Sequence, residues 1–181
     1  TKNVTDLDIP NLLAKLIWHL DEPFGDAAFI PTYILAEHAA KNVKVILSGA
    51  GGDELFGGYT RYKKYSKIES IFGKILLNKS PAFSFYDINK GSHTRFWKNA
   101  FKWYIPGSAK SKFDSLYNEN KKEDKLNAYM LGDLKIYLQD NILALTDRMT
   151  SAASIECRVP LLDHRLVELS LKTPSKLKIK I

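Results

Sequence analysis

Apolar residues recur at helical spacing near the start of the chain: Ile9, Leu12, Leu13, Leu16, Ile17 and Leu20 fall on one stripe of a 3.6-residue repeat. The pattern predicts an amphipathic helix through His19, with Asp6 or Asp8 as its cap and Pro10 accepted in its first turn. A turn-rich connection of Asp21, Glu22, Pro23, Phe24, Gly25 and Asp26 follows, and a second helix is expected with Pro31 in its first turn, reaching about Lys41 and ending at Asn42. The period then changes. Val43, Val45, Ile46 and Leu47, interrupted by Lys44, read as a short strand buried on most of its surface, and a helix entering such a strand is half of a parallel-sheet unit.

The strand runs into Ser48, Gly49, Ala50, Gly51 and Gly52, and Asp53 with Glu54 then open a helix. Strand, glycine turn and acidic helix start mark the carboxyl end of a strand, where open α/β sheets place their ligands. Neither common phosphate signature fits. GxGxxG fails at Glu54, and the Walker pattern fails because Gly57 is followed by Gly58 and Tyr59 instead of Lys and Ser or Thr.

After Tyr59 the chain reads as helical and basic, with breaks at Asn78 to Pro81, Asn89 to Ser92 and Pro106 to Ser108. Leu126, Tyr129, Met130, Leu134, Tyr137 and Leu138 predict one helix, in which Gly132 costs about 1 kcal/mol. Asp140 is expected to cap the next, carrying Ile142, Leu143, Leu145, Met149 and Ala153, and Asp163 a last helix to about Lys172, ahead of Pro174. Besides the strand at Val43 to Leu47, only Ala82 to Ile88 and Lys176 to Ile181 are further strand candidates, too few for a sheet buried on both faces. The simplest account is that the sheet partners lie before Thr1 and after Ile181 in a longer protein.

Composition is that of a globular domain, 45% hydrophobic and 26% charged over 181 residues. The lone Cys157 cannot form an internal disulfide, no targeting pattern or membrane-length apolar run occurs, and the cytoplasm is the default compartment. His19, His38, His93 and His164 stand apart without zinc spacing. The net charge of +7 is regional: residues 61 to 125 hold 15 Lys and Arg against 6 Asp and Glu, a balance of +9 that leaves −2 elsewhere. Aromatic residues such as Tyr62, Tyr65, Phe96 and Trp97 interleave there. A non-catalytic module binding single-stranded nucleic acid is one reading, ranked below helices with an aromatic core face and a lysine-covered solvent face.

Three blocks carry a more specific signal: HLDEPFGDAAFIPTY at 19 to 33, VILSGAGGDELFGGYTRY at 45 to 62, and DRMTSAASIECRVPLLDHRLVE at 147 to 168. In this order they resemble the synthetase domain of the glutamine-hydrolysing asparagine synthetases. The resemblance implies a doubly wound parallel sheet of the adenine nucleotide alpha hydrolase kind in the parent, this part being mostly α-helical, with residues 1 to 181 belonging to one domain. It implies an ATP-dependent carbon–nitrogen ligase that uses Mg²⁺ to convert aspartate to asparagine through a β-aspartyl adenylate. Ammonia would come from glutamine through an N-terminal glutaminase domain. Relatives acting on another carboxylate, such as a β-lactam synthetase, are the alternative within the class, and a homo-oligomer is left open.

By that resemblance Ser48, Gly49, Gly51 and Gly52 are nucleotide-binding residues and Asp53 is the Mg²⁺ ligand. For each there is a plainer reading: a tight turn for the first four, and a carboxylate favoured by a helix start for Asp53 and Glu54. Ala50 stands where many relatives carry Glu or Asp in a role tied to the adenylate, and alanine has neither proton nor charge to offer. Glu156 and Arg158 are the remaining catalytic candidates. Val159 before Pro160 favours extended backbone, so the two side chains can point the same way, Arg158 either clamping a carboxylate or phosphate or forming an ion pair that ties its loop to the signature turn. Asp21, Glu22 and Asp26 read first as turn and cap residues, and Cys157 as a small packing residue. The family's SGGxDS phosphate loop and its GKxxLR lysine segment are expected outside the present sequence, so this polypeptide alone is expected neither to adenylate a carboxylate nor to hydrolyse glutamine.

Overall fold

The computed structural model describes residues 9–22, 24–67 and 107–179. They divide into two compact units, one built from the described residues of 1–51 and 137–164 and the other from those of 52–136 and 165–181. The possible strand at Ala82 to Ile88, the caps Asp6 and Asp8, and most of the basic stretch lie outside the described residues.

In the first unit, α1 (Ile9–Leu20) and α2 (Phe29–Ala40) pack with α7 (Ala144–Ala152). Most of the predicted stripe closes a core: Leu16 and Leu20 are buried with Phe29, Tyr33, Leu145 and Met149, flanked by Leu12 and Leu13, whereas Ile17 is left exposed. Pro31 falls in the first turn of α2, where its missing N–H removes no helical bond. The connection between the helices is fixed by its own polar groups. Asp21 is left-handed at φ 58°, Asp26 Oδ1 accepts the Ala28 amide at 3.0 Å, and its Oδ2 accepts from Asn141 at 2.9 Å. Arg148 donates to the Leu20 carbonyl at the end of α1 and pairs with Glu22 at 3.2 Å.

The strand forms as β1 (Val45–Leu47), shorter than predicted, and pairs in parallel with β2 (Glu156–Arg158) in the register Val45–Glu156, Ile46–Cys157, Leu47–Arg158. It is not buried on most of its surface. Val45 and Leu47 remain 40% and 73% exposed and only Ile46 is half covered, because β2 is its only strand neighbour among the described residues. A 3₁₀ turn, Pro160–Leu162, follows β2.

The second unit holds α3 (Gly52–Phe56), α4 (helical over 60–67), α5 (Gly107–Asn120), α6 (Lys125–Asp133), α8 (His164–Lys172, counted here from Arg165) and α9 (Ser175–Lys178). Its core is aromatic. Tyr129 receives Tyr62, Tyr65 and Phe113 edge-on at centroid distances of 5.1, 5.4 and 5.7 Å, and the Tyr65 and Tyr117 hydroxyls meet at 2.7 Å. Tyr62 and Tyr65, two of the aromatics interleaved with lysines, therefore serve packing.

Two further sequence expectations change. Asp140 caps nothing: α6 continues through π-helical Leu134–Leu143 into α7, so no unbonded helix-start amides are present for it to accept, and it faces solvent. The cap belongs to Asp124, extended at φ −151°, which accepts the Leu126 and Asn127 amides. Near the end of the chain, residues 176–179 are not a strand, and the last two residues of that candidate lie outside the described residues. Pro174 leads directly into the single turn α9, after which extended Ile179 is buried in the aromatic core.

Candidate functional site

The signature string divides between the units after Gly51. In the first unit Ser48 follows β1, and its amide donates to the Arg158 carbonyl at 2.8 Å, which carries the parallel ladder one step past the strand. The Ala50 amide donates to Ser48 Oγ at 3.2 Å, closing a small turn. Since a hydroxyl that accepts still has its proton to give, Ser48 remains able to donate to a bound oxyanion. Gly49 is exposed with no atom within 4 Å of where a Cβ would stand, so its main chain is open to a ligand. Gly51 turns at φ +92°, and a Cβ there would stand 2.3 Å from Leu162 Cδ2. Left-handed backbone and close approach both require glycine.

In the second unit α3 is a single turn led by acidic residues. Asp53 is exposed, while its carbonyl accepts the amides of Gly57 and Gly58 at 2.9 and 3.1 Å. Glu54 is a different kind of residue. It is 2% exposed and accepts a 2.6 Å bond from the Tyr59 hydroxyl. Two adjacent carboxylates thus separate into one facing solvent and one held inside.

Glu156 and Arg158 do project to the same side of extended β2, where Arg158 Nε donates to Glu156 Oε1 at 2.7 Å with both side chains largely exposed. The pair is local. The tie from this loop to the signature turn is the backbone bond to Ser48 and not a side-chain ion pair. Beside β2, Lys44, Asp147, Thr150, Ser151 and Glu156 line an open recess of about 520 Å³. Cys157 lines it too, half-buried and unpaired with another cysteine, and burial together with Asp147 pushes its thiol up.

Sequence reasoning missed the ionic cluster in the second unit. Asp133 is fully buried at the end of α6, and its Oδ2 accepts from Arg61 Nε and Nη2 at 3.2 and 3.0 Å and from the Tyr62 hydroxyl at 2.7 Å. Burial raises the Asp133 carboxyl against the attraction of Arg61. The Tyr62 phenol is also pushed up, by desolvation and then by Asp133, so it stays a donor.

The donor set can be compared with what a nucleotide and its metal require. Among the described residues no group of three or more His, Cys, Asp or Glu could enclose a metal ion. A solvent-facing single carboxylate such as Asp53 suits Mg²⁺, which keeps several waters and is shared with substrate phosphates. The Ser48 hydroxyl and the open main chain at Gly49 suit a phosphate or ribose. No helix among the described residues is long and apolar enough to cross a membrane.

In the sequence, a parallel strand ends in a serine–glycine turn and an acidic one-turn helix follows. The sequence profile of the asparagine synthase family matches residues 1–180, and the chain belongs to that family. It is similar to asparagine synthetase [glutamine-hydrolyzing] 1 of Bacillus subtilis (strain 168), with 32% identity over 206 residues covering 99% of this chain and 33% of that protein. A putative asparagine synthetase [glutamine-hydrolyzing] of Mycobacterium tuberculosis (strain ATCC 25618 / H37Rv) is 31% identical over 92% of this chain and 30% of its own length. Putative asparagine synthetase [glutamine-hydrolyzing] 2 of Methanocaldococcus jannaschii is 35% identical over 66% of this chain and 23% of its own. The chain spans a third or less of these relatives. No solved structure matches it significantly.

Proposed function

We propose that this chain is the central, largely helical part of the synthetase domain of an ATP-dependent, glutamine-hydrolysing asparagine synthetase of the cytoplasm, its β1 and β2 belonging to a larger doubly wound parallel sheet. The observation that carries the reading is the family match along residues 1–180, supported by Ser48 at the end of a parallel strand with the glycine turn beyond it. Aspartate, ATP and ammonia released from glutamine would give asparagine, AMP and pyrophosphate. A carboxylate resists amine attack because oxide is a poor leaving group, and forming the β-aspartyl adenylate supplies AMP in its place.

In this reading the Ser48 hydroxyl and the main chain at Gly49, Gly51 and Gly52 bind the nucleotide, and Asp53 holds Mg²⁺, which when bound offsets the charge of the phosphates. Glu156 takes the proton shed by attacking ammonia, and Arg158 orients Glu156 through their shared bond. Ala50 offers no proton and so favours a second reading, in which the same machinery amidates a different small carboxylate.

Product analysis on the intact protein with aspartate, glutamine, ATP and Mg²⁺ tests the proposal. Asparagine and AMP should form in equal amounts. Amidation of another carboxylate, with aspartate left untouched, would establish the second reading.

A further inference from the structure

The buried cluster around Asp133 has no part in the chemistry above, yet it leads to the residue next to Asp53. Three donors converge on Asp133 Oδ2, while its Oδ1 has no hydrogen-bond partner among the described residues. Burying a carboxylate with half of its acceptors unmet is a poor way to gain stability, since apolar residues of similar volume often do as well or better. What the cluster does achieve is to fix Arg61. The guanidinium lies over the Tyr59 ring at 3.8 Å, and the Tyr59 hydroxyl grips buried Glu54 at 2.6 Å. Helix α3, which carries Asp53 and Glu54, has only five residues, too short to hold its shape unaided. Each link lies inside the second unit, and together they run from the end of α6 to the first turn of α3.

We propose that Asp133, Arg61 and Tyr59 are positioning residues that hold the first turn of α3, and with it the exposed Asp53 carboxylate, in the arrangement that receives a divalent cation. The inference rests on the reading of Asp53 as a Mg²⁺ ligand, and the choice of variants separates the two. Tyr59→Phe removes one hydroxyl and keeps the ring beneath Arg61; Asp133→Asn removes the charge and keeps the size.

The test uses the intact protein with ATP and titrates Mn²⁺, a paramagnetic stand-in for Mg²⁺, by electron paramagnetic resonance, alongside amide hydrogen exchange over residues 52–56. Tyr59→Phe and Asp133→Asn should each weaken Mn²⁺ binding about tenfold, the usual scale for a group that orients a ligating carboxylate. Exchange in α3 should speed up with the affinity for metal-free ATP unchanged. Should Asp133→Asn fail to fold, Tyr59→Phe carries the test. Unchanged Mn²⁺ affinity in Tyr59→Phe, with affinity lost in Asp53→Asn, overturns this inference alone. Unchanged affinity in Asp53→Asn overturns the metal assignment beneath it.

Discussion

A methyl group placed on the Cα of Gly58 would stand 1.8 Å from Asp53 Oδ1. The Asp53 side chain folds back over the bare backbone of Gly58, so residue 58 selects the conformation in which the carboxylate is presented. Gly58→Ala should push the carboxylate aside at a modest cost in stability, about 1 kcal/mol, because the clash falls mainly on the Asp53 side chain, with its Cα also close at 3.3 Å. Affinity for Mg²⁺ in the presence of ATP should fall about tenfold or more. Calorimetric melting and metal titration of the intact protein check the two halves, and full metal affinity with alanine at 58 would contradict the role given to Asp53.

Gly132 lies inside α6, where intrinsic propensity favours alanine by about 1 kcal/mol. The structure reverses the sign. A Cβ at 132 would stand 2.4 Å from Phe113 Cε2, within the aromatic core of the second unit. Gly132→Ala should destabilise by about 1–2 kcal/mol net, overpacking outweighing propensity, and Phe113→Leu in the same chain should recover most of the loss. A Gly132→Ala variant that melts higher than the wild type would refute this packing argument.

Lys178 donates to Asn127 Oδ1 at 3.0 Å on a partly buried turn, and burial lowers its ammonium to about 8 against the pull of Asp124. A lysine with a depressed folded-state pKa binds fewer protons when folded than when unfolded between pH 8 and 10.5, so its contribution to stability rises with pH across that window. The penalty is fully present below pH 8, on the order of 1 kcal/mol after discounting for the half-exposed side chain. Lys178→Met should remove this component: the difference in melting temperature between variant and wild type should favour the variant at pH 7 and shrink by pH 10.5. A difference independent of pH would count against a desolvated ammonium.

Asp124 accepts three amides, from Leu126 at 3.1 Å, Asn127 at 3.0 Å and Ser175 at 2.8 Å. Desolvation opposes its ionisation, but the Asn127, Ser175 and Leu126 bonds outweigh it and hold the carboxyl below its ordinary value. Stability gained this way is present above the unfolded pKa and is lost as pH falls through the depressed folded one. Asp124→Ala should cost about 1–2 kcal/mol at pH 7, and equal unfolding midpoints for variant and wild type in urea at that pH would remove Asp124 as the cap.

What the sequence makes legible follows the range of the interactions involved. Helix α1, the strand at Val45 and the turn at Gly51 announce themselves through local periods and through glycines that local backbone demands. β2 does so only in part: Ile155, Cys157 and Val159 alternate with Glu156 and Arg158 and Pro160 favours extended backbone before it, but so short a run becomes a strand only by pairing with residues some 110 positions earlier. The Asp133 cluster joins partners 71 and 72 positions apart, and an acidic residue in a helix reads as solvent-facing unless its neighbours are weighed. Met130, Gly132 and Ile136, all buried around it, were the available signal. Asp140 misled for the opposite reason: a good capping residue is informative only where a helix begins.

Ala50 separates the two functional readings. Its amide already bonds to Ser48 Oγ, so a longer side chain at this position leaves the turn's own bond in place. If the chain acts on aspartate, Ala50→Glu should raise the rate of asparagine formation by the intact protein, a well-placed acid–base group contributing roughly 10²–10⁴-fold. An unchanged or lower rate would favour another carboxylate as substrate.

The central claim, that the turn from Ser48 to Asp53 serves a carboxylate-activating ATP site, is tested most directly by exchange of labelled pyrophosphate into ATP. The intact protein should catalyse exchange that depends on aspartate and Mg²⁺ and falls to background in Asp53→Asn. Exchange that is absent with aspartate, or that persists undiminished in Asp53→Asn, would contradict it.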